Sequence, residues 1–74
     1  IRKQTAVEHM RKWRGNWVVQ KPGHIRHGTK DIMVVDANDR EAATNLIAHT
    51  AAARMFGDEK HHTDIQVFNV NPAS

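Results

Sequence analysis

The chain has 74 residues, with 11 Lys or Arg against 8 Asp or Glu, 6 His, a formal net charge of +3 and no cysteine. That length holds one small domain (1–74), of a kind that buries only about 60% of the surface its unfolded chain exposes, and without cysteine neither disulfide staples nor thiolate metal sites are open to it. No apolar run nears the roughly 20 residues of a membrane span and no signal-peptide pattern occurs, so an intracellular setting (cytoplasmic or nucleoid-associated), with no membrane contact, is the expectation.

Residues 5–14 read in two ways. Thr5-x-x-Glu8 spells a capping box, and Ala6, Val7, Met10 and Trp13 share one helical face with Gly15 as a stop. The same stretch also alternates, with Thr5, Val7, His9, Arg11 and Trp13 on one side of a basic strand that turns at Arg14-Gly15-Asn16. A strand follows at 17–21, ended by the turn pair Pro22-Gly23, and a long His-rich loop over 22–30 leads to a β-branched strand at 31–35.

The clearest element is a helix at about 39–56. Asn38 is placed to cap it and Glu41 to complete the capping box, with Asp39 and Glu41 favouring the positive end of the helix dipole. Ala42, Ala43, Leu46, His49, Thr50, Ala53 and Phe56 recur at helical spacing as its packing face. Gly57 stands where a left-handed terminating residue is wanted. Residues 58–63 read as an exposed connection, 65–70 as an alternating strand, and 71–74 as a loose tail. The predicted fold is α+β, a small antiparallel sheet of three to four strands with one long helix on one face, the last strand pairing antiparallel beside the first.

Charge is placed unevenly. Arg2, Lys3, Arg11, Lys12, Arg14, Lys21, Arg26 and Lys30 face Glu8 alone within residues 1–30, a net +7, whereas residues 31–74 sum to −4. A basic half joined to an acidic half suits an oriented polyanion or an acidic protein surface, although cations also merely solvate the outside of a sheet. Within the basic half, residues 11–21 combine three chemistries that nucleic acid needs. Arg11, Lys12, Arg14 and Lys21 supply cations for phosphates, with Arg26 and Lys30 extending the patch. Trp13 and Trp17 supply flat rings, and Asn16 and Gln20 supply amides for base edges. Both tryptophans are equally candidates for the core of so small a domain.

The order of basic hairpin, third strand and Ala-rich helix resembles the sheet-type DNA-binding domain of plant ethylene-responsive transcription factors, and is similar to the arm-binding domains of phage integrases. The resemblance covers about residues 9–57. Trp13, Gly15 and Trp17-Val18 carry it in the turn, and Glu41-Ala42-Ala43 and residues 51–57 (A-A-A-R-M-F-G) carry it in the helix. It implies a sheet laid in the DNA major groove, with Arg11, Trp13 and Trp17 as the reading residues. The Trp spacing differs from the family pattern by one inserted residue, and the loop at 22–30 departs from it.

Other chemistry finds less footing. His24-x-x-His27 and His61-His62 could join Asp58 around zinc only if two loops met, and no H-E-x-x-H helix is present, so no metal and no cofactor is expected. His49 reads as a core or boundary histidine between Leu46 and Ala53. With no cysteine, no serine before Ser74 and no Gly-rich phosphate loop, the sequence predicts a binding protein without a small-molecule substrate rather than an enzyme. Nucleic acid, DNA before RNA, is the expected partner. The rival is a host or partner protein: the element order also resembles small phage inhibitors of host RNA polymerase, and a small phage or mobile-element product could occupy such a target through an exposed aromatic or a free strand edge.

Overall fold

The structure, a computed structural model, describes residues 10–20 and 31–73. In chain order its elements are β1 (Arg11–Val19), β2 (Ile32–Ala37), α1 (Arg40–Phe56), a 3-10 helix (Glu59–Asp64) and β3 (Ile65–Pro72). The strands form one antiparallel sheet in the order β2-β1-β3. This is the α+β arrangement expected, with β3 paired to β1. The candidate helix over residues 5–14 is decided only from residue 11 onward, where the backbone is a strand; residues 1–9 and the loop at 22–30, with His24 and His27, lie outside the described residues.

The expected turn at Arg14-Gly15-Asn16 does not form. Those residues run straight through the middle of β1, paired to Val34, Met33 and Ile32 of β2. Gly15 is present for closeness rather than for a turn. A Cβ on it would sit 2.8 Å from Ile47 Cδ1 of α1 and 3.1 Å from Val70 Cγ2 of β3. A glycine inside a strand commonly marks such an approach. Here it opens a hollow at the centre of the sheet, and Ile47, with 0% of its surface exposed, fills it.

That fit also sets the rotation of the helix. The buried stripe of α1 is Ala43, Ile47, Ala48, Ala51 and Ala52, not the expected Ala42, Ala43, Leu46, His49, Thr50, Ala53 and Phe56. Of that set Ala43 is buried and Phe56 packs partly, but Leu46 is 42% exposed. Leu46 and Ile47 are about equally apolar, so hydrophobicity alone leaves the phase open by one residue, about 100° of rotation. The alanines around Ile47 let the helix backbone lie close to the sheet, which a stripe led by Leu46 would not.

The helix ends are chemically clear, with one correction. Asp39, not Asn38, is the N-cap: its carboxylate accepts a hydrogen bond from the backbone N–H of Ala42 at 2.8 Å. The third helical position is therefore Ala42, and no capping box with Glu41 closes. Gly57 ends the helix at φ 74°, donating its N–H to the Ala53 carbonyl at 2.9 Å, as expected.

β3 carries one irregularity with consequences. Arg14 pairs with Asn71 and Asn16 with Phe68, so Asn69 and Val70 together oppose Gly15. Asn69 takes φ 57°, a left-handed value that Asn tolerates better than most residues. The bulge changes the phase of the strand. Ile65 and Val67 face the helix before it, and Val70 rather than Asn69 faces it afterwards. The strand continues to Pro72, and Ala73 N–H donates to the Lys12 carbonyl at 2.8 Å, so residues 71–73 are tied to the sheet rather than loose.

The connection at 58–63 is also more ordered than expected. Asp58 caps the 3-10 helix, accepting from the Lys60 N–H at 2.9 Å. The helix is fastened to α1 by rings: His62 stacks on His49 at 4.2 Å between centroids, and His61 lies 5.0 Å from Phe56. His49 Nδ1 is 3.3 Å from Glu59 Oε1 and His61 Nδ1 is 3.3 Å from Asp64 Oδ2. His49 is thus a boundary histidine, half-buried and partnered.

Candidate nucleic-acid interface

Side chains of a strand alternate between its two faces, and cross-strand partners share a face. In β1 this divides the sequence-predicted residues into two sets. Arg11, Trp13, Gly15, Trp17 and Val19 face α1. Lys12, Arg14, Asn16 and Val18 face the other way, and Gln20, just past the strand, continues that row.

The tryptophans belong to the first set, and both are only 7% exposed within the core cluster. Trp13 donates its indole N–H to the Ala37 carbonyl at 3.0 Å, and the guanidinium carbons of Arg11 and Arg40 each lie 5.6 Å from its ring centre. Arg40 is itself held by a hydrogen bond from Nε to the Val70 carbonyl at 3.0 Å. Trp13 is therefore a core residue roofed by two cations, and neither it nor Trp17 presents a ring for stacking. Arg11 completes that roof on the helix side of the sheet. The residues that carry the resemblance in the expected turn, Trp13, Gly15 and Trp17-Val18, thus lie within one strand, with both rings turned to the helix.

The second set makes a surface. Among the described elements α1 covers one face of the sheet and none covers the other. Along the central strand the uncovered face presents Lys12, Arg14, Asn16, Val18 and Gln20 at intervals of about 6.6 Å. β2 adds Asp36, Val34 and Ile32, and β3 adds Asn71, Phe68 and Gln66, opposite Lys12, Arg14, Asn16 and Val18 in register. Ile32 and Val34 are each 53% exposed, Phe68 is half-buried, and Val18 is buried at 3% outside the core cluster beneath the helix. Lys12 Nζ lies 3.4 Å from Asp36 Oδ1, an exposed pair of the kind that contributes little to stability. Arg14 is exposed at the centre of the row.

Of the residues selected from the sequence, the sheet brings together Lys12, Arg14, Asn16 and Gln20, and it separates Arg11, Trp13 and Trp17 from them. Lys21, Arg26 and Lys30 lie outside the described residues. Phe68, Gln66 and Asn71, with Ile32 and Val34, were missed. Period-two alternation in Ile65-Gln66-Val67-Phe68 carries the signal for Gln66 and Phe68. Asn71 lies beyond the bulge, where simple alternation gives the wrong face.

Among the described residues no three His, Asp or Glu side chains converge as metal ligands, and no helix is long and apolar enough to cross a membrane. No protein-family model matches this chain, and neither a curated protein nor a solved structure is significantly similar to it.

Proposed function

We propose that the chain is a nucleic-acid-binding module that works through the helix-free face of its sheet. The observation that carries this reading is the row formed by Lys12, Arg14, Asn16 and Gln20 beside the half-buried ring of Phe68. Lys12 and Arg14 supply the phosphate contacts that dominate affinity, and the amides of Asn16, Gln20, Gln66 and Asn71 supply donors and acceptors for base edges. The aromatic component passes from the buried tryptophans to Phe68. Arg11 takes no part, because its side chain lies on the helix side.

The test is fluorescence anisotropy of labelled DNA oligonucleotides between about 50 and 200 mM salt, with Lys12→Ala/Arg14→Ala as the comparison. The expected result is salt-sensitive binding by the parent chain and a shallower salt slope, by about 2, for the variant. Equal binding by both at low salt would end the assignment.

A protein partner is the second reading, and one observation favours it: Ile32 and Val34 stand side by side, half exposed, on a strand at the edge of the sheet. Exposed apolar side chains and an unpaired edge are what strand addition by a partner protein uses. On that reading Ile32→Thr/Val34→Thr removes binding to a host protein, while the variant lacking Lys12 and Arg14 retains it.

A further inference from the structure

We infer that the nucleic acid this face takes is a single strand of DNA, its backbone running along β1 and a base stacked on Phe68; this rests on the nucleic-acid reading above and narrows it.

The argument comes from where charge lies across the width of the sheet. A major groove is about 12 Å wide and is walled on both sides by phosphates. A sheet docked in it therefore places its outer strands against the two walls, with the central strand towards the bases. On this face the outer strands carry no cation: β2 presents Ile32, Val34 and Asp36, and β3 presents Gln66, Phe68 and Asn71. Docked in a groove, the β2 side would set two half-exposed aliphatic side chains and a carboxylate against phosphate. The cations are on the central strand, Lys12 and Arg14. Duplex docking thus has the charges in the wrong column.

A single strand reverses the requirement. It has one phosphate track, for which a single line of cations suffices, and its unstacked bases splay to the sides. Lys12 and Arg14 lie on that line. To one side of it, directly across from Asn16, is Phe68, with Gln66 and Asn71 flanking it along β3. A ring offers its face to any base, and neighbouring amides can pair with a base edge. On the other side Ile32 and Val34 make an apolar shelf 53% open to solvent. Among the described residues this face is a cationic line with a stacking platform on one flank and an apolar shelf on the other, which fits single-stranded DNA.

The full 74-residue chain is titrated with a mixed-sequence strand of about 16 nucleotides and with the same strand annealed to its complement. Phe68→Leu keeps an apolar side chain while removing the aromatic face, and its thermal melt by circular dichroism reports whether it folds. The expected result is tighter binding of the single strand than of the duplex, weakened about tenfold by Phe68→Leu with the duplex unaffected. Equal or tighter duplex binding, insensitive to Phe68→Leu but weakened by Lys12→Ala/Arg14→Ala, overturns this inference and leaves the nucleic-acid reading standing. No binding of either probe at low salt overturns both. Photo-cross-linking of a 5-bromouracil strand to the unsubstituted chain, mapped by mass spectrometry, needs no folded variant: adducts on the helix-free face support the inference, and adducts confined elsewhere overturn it.

Discussion

The two faces of β1 are built from the same ten-residue stretch, Arg11 to Gln20, and do opposite work. Towards α1 it presents Trp13, Gly15, Trp17 and Val19, all buried, with the exposed Arg11 over the Trp13 ring; away from α1 it presents Lys12, Arg14, Asn16, Val18 and Gln20, most of them in water. Composition does not separate them, since each set has cations and apolar groups. Geometry does. Trp13 is covered because the ring fits under α1 with its N–H on the Ala37 carbonyl, while Arg14, one residue on, points to the side away from the helix. A basic, Trp-containing segment is therefore not one site. It is an anchor and a surface interleaved at every second residue.

Four comparisons sharpen this division, the largest effect first. Ile47→Ala empties the hollow over Gly15 and is expected to cost about 3–4 kcal/mol in urea unfolding, as deletions of fully buried side chains do. Leu46→Ala, one position along the same helix but exposed, is expected to cost less than about 1 kcal/mol. Comparable losses at the two positions would mean the helix is rotated from the orientation described.

Gly15→Ala follows, at about 1–3 kcal/mol, because its Cβ would press on the fully buried Ile47 Cδ1 and on Val70. Ile47→Val removes that Cδ1. The double variant is expected to be more stable than the sum of the two single changes allows, by about 1 kcal/mol. Strict additivity in the double-mutant cycle would show that the contact does not limit the site.

The cap distinguishes neighbours in the same manner. Asp39→Ala is expected to lower stability by about 1 kcal/mol, and Asn38→Ala to leave it within about 0.5 kcal/mol. The reverse order would return the cap to Asn38.

The smallest stability effect tests the two faces directly. Arg14→Ala should leave the melting curve nearly unchanged and, on a single strand, reduce the dependence of log K on log salt by about 0.7 if the residue contacts a phosphate. Arg11→Ala should do the opposite, losing about 0.5 kcal/mol through the missing cation over Trp13 and leaving the salt slope alone. Identical behaviour of the two arginines would abolish the distinction between the faces.

Much of this was legible in the chain. The helix, its Gly57 terminus and the strands of β2 and β3 follow from local signals: helical spacing, a left-handed stop, and β-branched or alternating runs. Lys12, Arg14, Asn16 and Gln20 stand out by chemistry alone, together with Arg11, Trp13 and Trp17; that the four share a face follows only from the unbroken run of β1. The errors came where local chemistry admits two uses. Glycine serves a turn or a close approach, and at Gly15 only the presence of Ile47 separates them. Asn38 and Asp39 are both good caps, and the helix begins after the second because β2 continues as far as Ala37. Phe68 stands out less than the tryptophans in the sequence, and its face is fixed by the parity of positions in β3 and its pairing with Asn16.

By itself, then, the sequence determined the long helix, the strands on either side of it, the antiparallel α+β class and the concentration of cations in its first 30 residues, all properties of short windows and of composition. Tertiary structure decided which side of each strand meets the helix. Parity in β1 depends on the hollow over Gly15 and the hydrogen bond from Trp13. Parity in β3 depends on one left-handed residue, Asn69, whose bulge turns Val70 inward and sets Asn71 beside Arg14. Those are contacts between residues more than 20 positions apart, and no window of sequence contains them.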